Sequence, residues 1–148
     1  MSLISTLSGT WVGYGQMYDA VSKHVLDTIE VSISFEKDQT NKLVGTKRIQ
    51  FLKEKLKSYS VDLGIEIVNE MEMNILPEWS ESPIPFMYME NPVSFQGNYI
   101  TDTLGPNTHH LDNNFILNGQ WQIHIEAKSD TSHVAFDYVL EKSEPASI

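Results

Sequence analysis

Apolar and polar residues alternate along most of this chain. Over 24–36, Val25, Ile29, Val31, Ile33 and Phe35 hold odd positions, while Glu30, Ser32, Ser34 and Glu36 hold even ones. A period of two sends successive side chains to opposite faces and predicts a half-buried β-strand. Lys37–Asn41 then supplies turn residues. A second strand is expected over 42–52, with Leu43, Ile49 and Phe51 on one face. Tyr59, Val61, Leu63, Ile65 and Ile67 mark a third, and Met71, Met73 and Ile75 continue its phase opposite Glu70 and Glu72.

Pro77, Pro83, Pro85 and Pro92 interrupt segment 76–92. Proline cannot donate to a central ladder, so at most one short strand, Phe86–Met89, is expected there. Val93, Phe95, Gly97 and Tyr99 define the next strand. Phe115, Leu117, Gly119, Trp121, Ile123 and Ile125 define another, facing Asn118, Gln120, Gln122, His124 and Glu126. The polar stretch Gly105–Asn114 between them reads as a loop. Val134, Phe136, Tyr138 and Leu140 mark the last strand. No stretch has the 3.6-residue period of an amphipathic helix, and Lys53–Lys57 reads as a charged turn.

Many alternating strands joined by short turns predict an all-β fold, an antiparallel up-and-down barrel of about 8–10 strands. Strand lengths of about 9–13 residues suit tilted barrel staves. Gly45, Gly97 and Gly119 share the phase of large apolar residues, as expected of sharp bends or close approaches at barrel corners. One domain over residues 1–148 is expected, ordered over about 7–142. Met1–Thr6 and Ser143–Ile148 are expected to be disordered.

Composition narrows the function classes. With no cysteine there is no disulfide, thiolate nucleophile or cysteine-held metal, and a cytoplasmic setting is the expectation. Met1–Ser5 lacks the basic and apolar regions of a signal peptide, and Met1-Ser2-Leu3 also has the look of a non-native addition. No apolar run is long enough for a membrane-spanning helix. The net charge is −10, and no Lys or Arg occurs between Lys57 and Lys128. Such a surface repels phosphate backbones, so nucleic acid is not an expected partner.

The opening segment Gly9-Thr10-Trp11-Val12-Gly13-Tyr14-Gly15 carries a resemblance. Its Gly-x-Trp start resembles that of the calycin superfamily, which includes lipocalins, fatty-acid-binding proteins and avidins. The resemblance implies that the Trp11 indole plugs one barrel end beneath a basic side chain near the end of the last strand, where this chain has Lys142. The longer Gly-x-Trp-x-Gly-x-Gly pattern resembles the start of the nitrobindin family. That resemblance implies haem bound through a C-terminal histidine, which here can only be His133. Leu43-Val44-Gly45-Thr46 is similar to a second-strand segment of avidins.

The leading functional expectation is a non-enzymatic protein holding a small hydrophobic molecule in the barrel. Candidate walls are Trp11, Tyr14, Phe35, Phe51, Phe95 and Tyr99, with Trp121 and Tyr138. Met71, Met73, Met87 and Met89 are flexible, polarizable candidates for an adaptable lid. Arg48 is a candidate partner for a ligand carboxylate, provided that its phase faces inward.

The alternatives are haem binding through His133 and an interaction module using Trp79. His109-His110 with Asp112 has metal-ligating chemistry but too few ligands, so no metal is expected. Glu70 and Glu72 read as solvated. No nucleophile elbow or phosphate-binding glycine loop occurs, which argues against an enzyme.

Overall fold

A computed structural model describes residues 3–55, 57–102 and 104–143. A short helix, α1 (Leu3–Leu7), precedes ten strands. These are β1 (Gly9–Asp19), β2 (Val25–Gln39), β3 (Lys42–Phe51), β4 (Ser58–Ile67) and β5 (Glu72–Pro77). Then follow β6 (Ile84–Glu90), β7 (Val93–Thr101), β8 (Thr108–Leu117), β9 (Gln120–Lys128) and β10 (His133–Lys142). Each strand pairs antiparallel with its sequence neighbours, and β10 pairs with β1 to close the barrel. Closure leaves no sheet edge exposed.

The β1–β10 seam explains the glycines around Trp11. Register sets Trp11, Gly13, Gly15 and Met17 on the inward phase opposite Lys142, Leu140, Tyr138 and Phe136. A Cβ on Gly13 would run into the Val139 carbonyl, and one on Gly15 into the Asp137 carbonyl and Tyr138. Glycine is required because the two backbones approach too closely for any side chain. Gly45 is crowded by the Ser34 carbonyl in the same way, and the Phe86 ring lies over Gly97. Gly119 differs: with Asn118 it forms the two-residue β8–β9 turn, both at positive φ (54° and 78°), where the left-handed conformation favours glycine.

Three sequence expectations are corrected. The N-terminus is ordered from Leu3, because Leu3, Ile4 and Leu7 bury their side chains across one barrel end. A five-residue helix has no stability of its own, so this burial holds it. The one strand expected in the proline-rich segment is present but longer than Phe86–Met89: β6 runs Ile84–Glu90 with Pro85 exposed on it, and Pro77 ends β5. The expected loop Gly105–Asn114 is mostly strand, since β8 begins at Thr108. Residues 144–148 of the expected C-terminal tail lie outside the described residues.

The end plugged by α1 is packed solid. Trp11 is 2% exposed and donates its indole N–H to the Leu7 carbonyl at 3.1 Å. It meets Trp121 edge-on at a ring separation of 5.4 Å. Leu43, Ile65, Met73, Ile116 and Leu140 fill the same region.

Candidate functional site

The opposite end is built differently. Inward phase there falls to Met17, Phe51, Tyr59, Tyr99, His110, Asp112 and Phe136. These side chains are partly exposed, whereas Ile84, Thr108 and Ala127 on the same inward phase at that end are buried, so solvent meets the rim. Toward α1 the lumen has an apolar floor, and toward the opposite end an upper chamber with a more polar wall.

Polar side chains project into this chamber from several staves. Lys47 shares the phase of Leu43 and Ile49, and its register partners Ile33 and Val61 are both buried. Its Nζ stands 5.2 Å from the centroid of the Tyr138 ring, reaching from β3 to β10. On β8, His110 and Asp112 point inward against Tyr99 of β7. The Tyr99 hydroxyl donates to the Asp112 carboxylate at 3.1 and 3.2 Å. Its ring stacks on His110 at 4.7 Å and 5°. His110 Nε2 meets Thr101 Oγ1 at 2.8 Å. Trp79, 46% exposed, leans on Tyr99 at a ring separation of 6.0 Å beside the mouth.

His110 Nδ1 is buried with no hydrogen-bond partner, and the buried Tyr138 hydroxyl has no partner within 3.5 Å, its nearest polar neighbour being the Lys47 ammonium. Lys47 has no carboxylate within 4.0 Å among the described residues. Buried polar groups normally find partners, and each exception calls for a physical explanation.

The electrostatics follow from enclosure. Burial raises the Asp112 pKa to about 6, even though Lys47 and the Tyr99 hydrogen bond pull it down. Burial and then the Lys47 charge lower the pKa of His110. Burial also works against the Lys47 ammonium, but Tyr138 and Asp112 outweigh it and hold the pKa above the ordinary value. Burial, followed by Asp112, raises the Tyr99 phenol, and burial raises that of Tyr138 against the pull of Lys47. Near neutral pH the chamber therefore holds a cation, a carboxylate, protonated phenols and a neutral imidazole. The group is equipped to hold a polar function, and it lacks an activated nucleophile.

Sequence-expected residues divide between the faces. Trp11, Phe35, Met73, Phe95 and Trp121 are buried in the core. Phe51 and Tyr99 pack partly buried against it, and Tyr138 is 2% exposed beside Lys47. Tyr14 lies outside the lumen, because Gly13 and Gly15 hold the inward phase of β1. Met87 and Met89 are likewise outside, since Phe86 and Tyr88 turn inward. Met71 is exposed just before β5. Arg48 is exposed on the outer face, and Lys47 holds the inward position expected of it.

His133 also faces outward, so it does not reach the lumen where a barrel-bound haem would sit. Its Nε2 lies 3.4 Å from Glu126, in an outer cluster with His124, Asp137 and Tyr18. His109 is exposed while His110 turns inward, so the pair diverges as neighbours on a strand must. Among the described residues, no group of three or more His, Cys, Asp or Glu is placed to hold a metal ion.

Sequence reasoning missed Lys47, although its odd position was visible. No family model and no curated protein sequence matches the chain. Among solved structures, the chain is similar to the S-type phycobiliprotein lyase CPES from Guillardia theta, with a TM-score of 0.72 at 6% identity, covering 97% of this chain and 92% of that one. It is also similar to Rv2717c from M. tuberculosis, with a TM-score of 0.69 at 12% identity, covering 95% and 94%. The fold is a calycin-like barrel. At these identities the likeness is one of architecture, and the function of a calycin-like barrel depends on what its lumen presents.

Proposed function

We propose that this calycin-like barrel is a non-enzymatic binding protein that holds a small, largely apolar molecule in its upper chamber. The observation that carries the reading is the partial solvent access of inward-facing Met17, Phe51, Tyr99, His110 and Phe136, against a fully packed floor. Apolar walls with a few convergent polar groups suit small-molecule recognition. Burial of ligand surface would supply affinity at about 25 cal/mol per Å².

His133 offers no ligand to the lumen, so the haem alternative is not carried forward. Trp79 packs at the mouth, which favours a part in the chamber over a free partner anchor.

Titration with Nile red, a neutral dye that brightens in apolar surroundings, tests the proposal. Saturable binding at one dye per chain is expected, and Phe136→Trp, which adds volume inside the chamber, should weaken it. Absence of saturable binding, or binding indifferent to Phe136→Trp in a folded protein, counts against it.

A further inference from the structure

We propose, building on the container reading above, that the ligand carries one anionic group, and that Lys47 and the Tyr138 hydroxyl hold this group inside the barrel. The class is an amphipathic organic acid: an apolar body with a single carboxylate or comparable anion.

Lys47 enters the lumen from β3 between buried neighbours and has no carboxylate within 4.0 Å among the described residues. An enclosed ammonium without a contacting anion is costly, and an incoming anion relieves that cost. The Tyr138 side chain lies beside it, ring centroid at 5.2 Å, and can engage at most one of the three ammonium donors through its hydroxyl. The Tyr138 hydroxyl is buried beside the Lys47 ammonium, and its own proton has no acceptor within 3.5 Å. It can donate to the same anion.

His110 supplies a third group. Its Nε2 is engaged by Thr101, its ring is fixed by stacking on Tyr99, and its buried Nδ1 has no partner. This orientation is held without help from Nδ1, so the nitrogen is available to a second polar atom of the ligand.

Asp112 sets the balance of charge. It faces Lys47 without touching it and is committed to the Tyr99 hydroxyl. Lys47 therefore feels a carboxylate at a distance and contacts none. An anion entering the gap meets attraction from Lys47 and weaker, more distant repulsion from Asp112.

The pairing also sets an orientation. The apolar floor lies toward α1, and the polar groups sit between it and the mouth. The body of the ligand lies against apolar wall, and the acid group turns toward Lys47.

Paired probes test the inference: cis-parinaric acid and its methyl ester, and retinoic acid and its methyl ester, each titrated by fluorescence. For at least one pair, the acid should bind about tenfold or more tighter than the ester, the scale of one charge-assisted hydrogen bond. Lys47→Met should weaken acid binding about tenfold and so remove that preference. Lys47→Arg should retain it, and Tyr138→Phe should reduce it severalfold. Far-UV circular dichroism of each variant establishes that the barrel is intact. If Lys47→Met does not fold, Tyr138→Phe and Lys47→Arg carry the comparison. Acids and esters binding equally overturns the anionic inference and leaves the container reading standing. Failure of all four probes to bind overturns both.

Discussion

The Lys142 ammonium lies 5.4 Å from the centroid of the Trp11 indole, joining the last strand of the barrel to the first. This is the basic residue over a plugging tryptophan that the opening sequence motif implies. Lys142 is exposed and Trp11 is not, so their contributions differ. Lys142→Ala should cost about 0.5–1 kcal/mol of unfolding free energy. Trp11→Ala should cost about 3–5 kcal/mol. Urea denaturation followed by Trp121 fluorescence measures both, and equal losses would contradict the assignment.

Two glycines should fail for different reasons. Gly15→Ala forces a methyl into the Asp137 carbonyl and should destabilise by about 3 kcal/mol or prevent folding. Gly119→Ala meets no atom within 4 Å, and its cost is the left-handed backbone alone, about 1–2 kcal/mol. Thermal unfolding of the two variants should therefore separate them by several degrees.

Asp112 gives a pH signature. Its pKa rises on folding from 3.8 to about 6, so the native state holds a proton that the unfolded chain releases. Stability from this group is complete below about pH 4 and falls as pH rises toward 6, by about 2 kcal/mol after allowance for residual solvent access. Asp112→Asn should flatten that slope and be the more stable protein at pH 7. Affinity for an anionic probe should also rise between pH 8 and 5.5. Over that range Asp112 loses charge, while Lys47, Tyr99 and Tyr138, all raised, keep their protons. Chemical denaturation and probe titration across that range read the two effects, and a rise of affinity with pH would exclude the arrangement.

The histidines should titrate in opposite directions. Burial works against the His124 imidazolium, but hydrogen bonds to Asp137 and Glu126 outweigh it and raise its pKa. Burial and Lys47 lower that of His110. In NMR titrations His124 should protonate above 6.5 and His110 below it. Asp137→Asn should bring His124 down and leave His110 in place. The stabilisation from His124 is present below pH 6.5 and lost as pH rises through its raised native value. It should be small, because the His124 and Asp137 side chains are 36% and 51% exposed.

Alternation made the barrel legible, because a half-buried strand cannot hide its period. It failed where the physics was not periodic. The plug Leu3–Leu7 is too short to show a helical repeat and is helical only because the barrel end lies beneath it. Strand β8 looked like a loop because its inward positions are Thr108, His110, Asp112 and Asn114. Polar residues inside a barrel erase the contrast that marks a strand, and they erase it at the candidate site. Arg48 drew notice for its chemistry, whereas the phase of Leu43, Ile49 and Phe51 singles out its neighbour Lys47. On β1, Tyr14 looked inward because aromatic residues usually are; the glycines on either side had already claimed that face.

The helix seated under Trp11 has a kinetic consequence. With one end sealed by Leu3, Ile4 and Leu7, a molecule bound as proposed would enter and leave by the opposite end. On the proposed reading its residence time would be governed at the rim, where Trp79 leans on Tyr99, and its affinity deeper, around Lys47. Trimming Trp79 should hasten entry and exit together with little change in equilibrium, so how long a molecule stays and how tightly it is held are set by different residues.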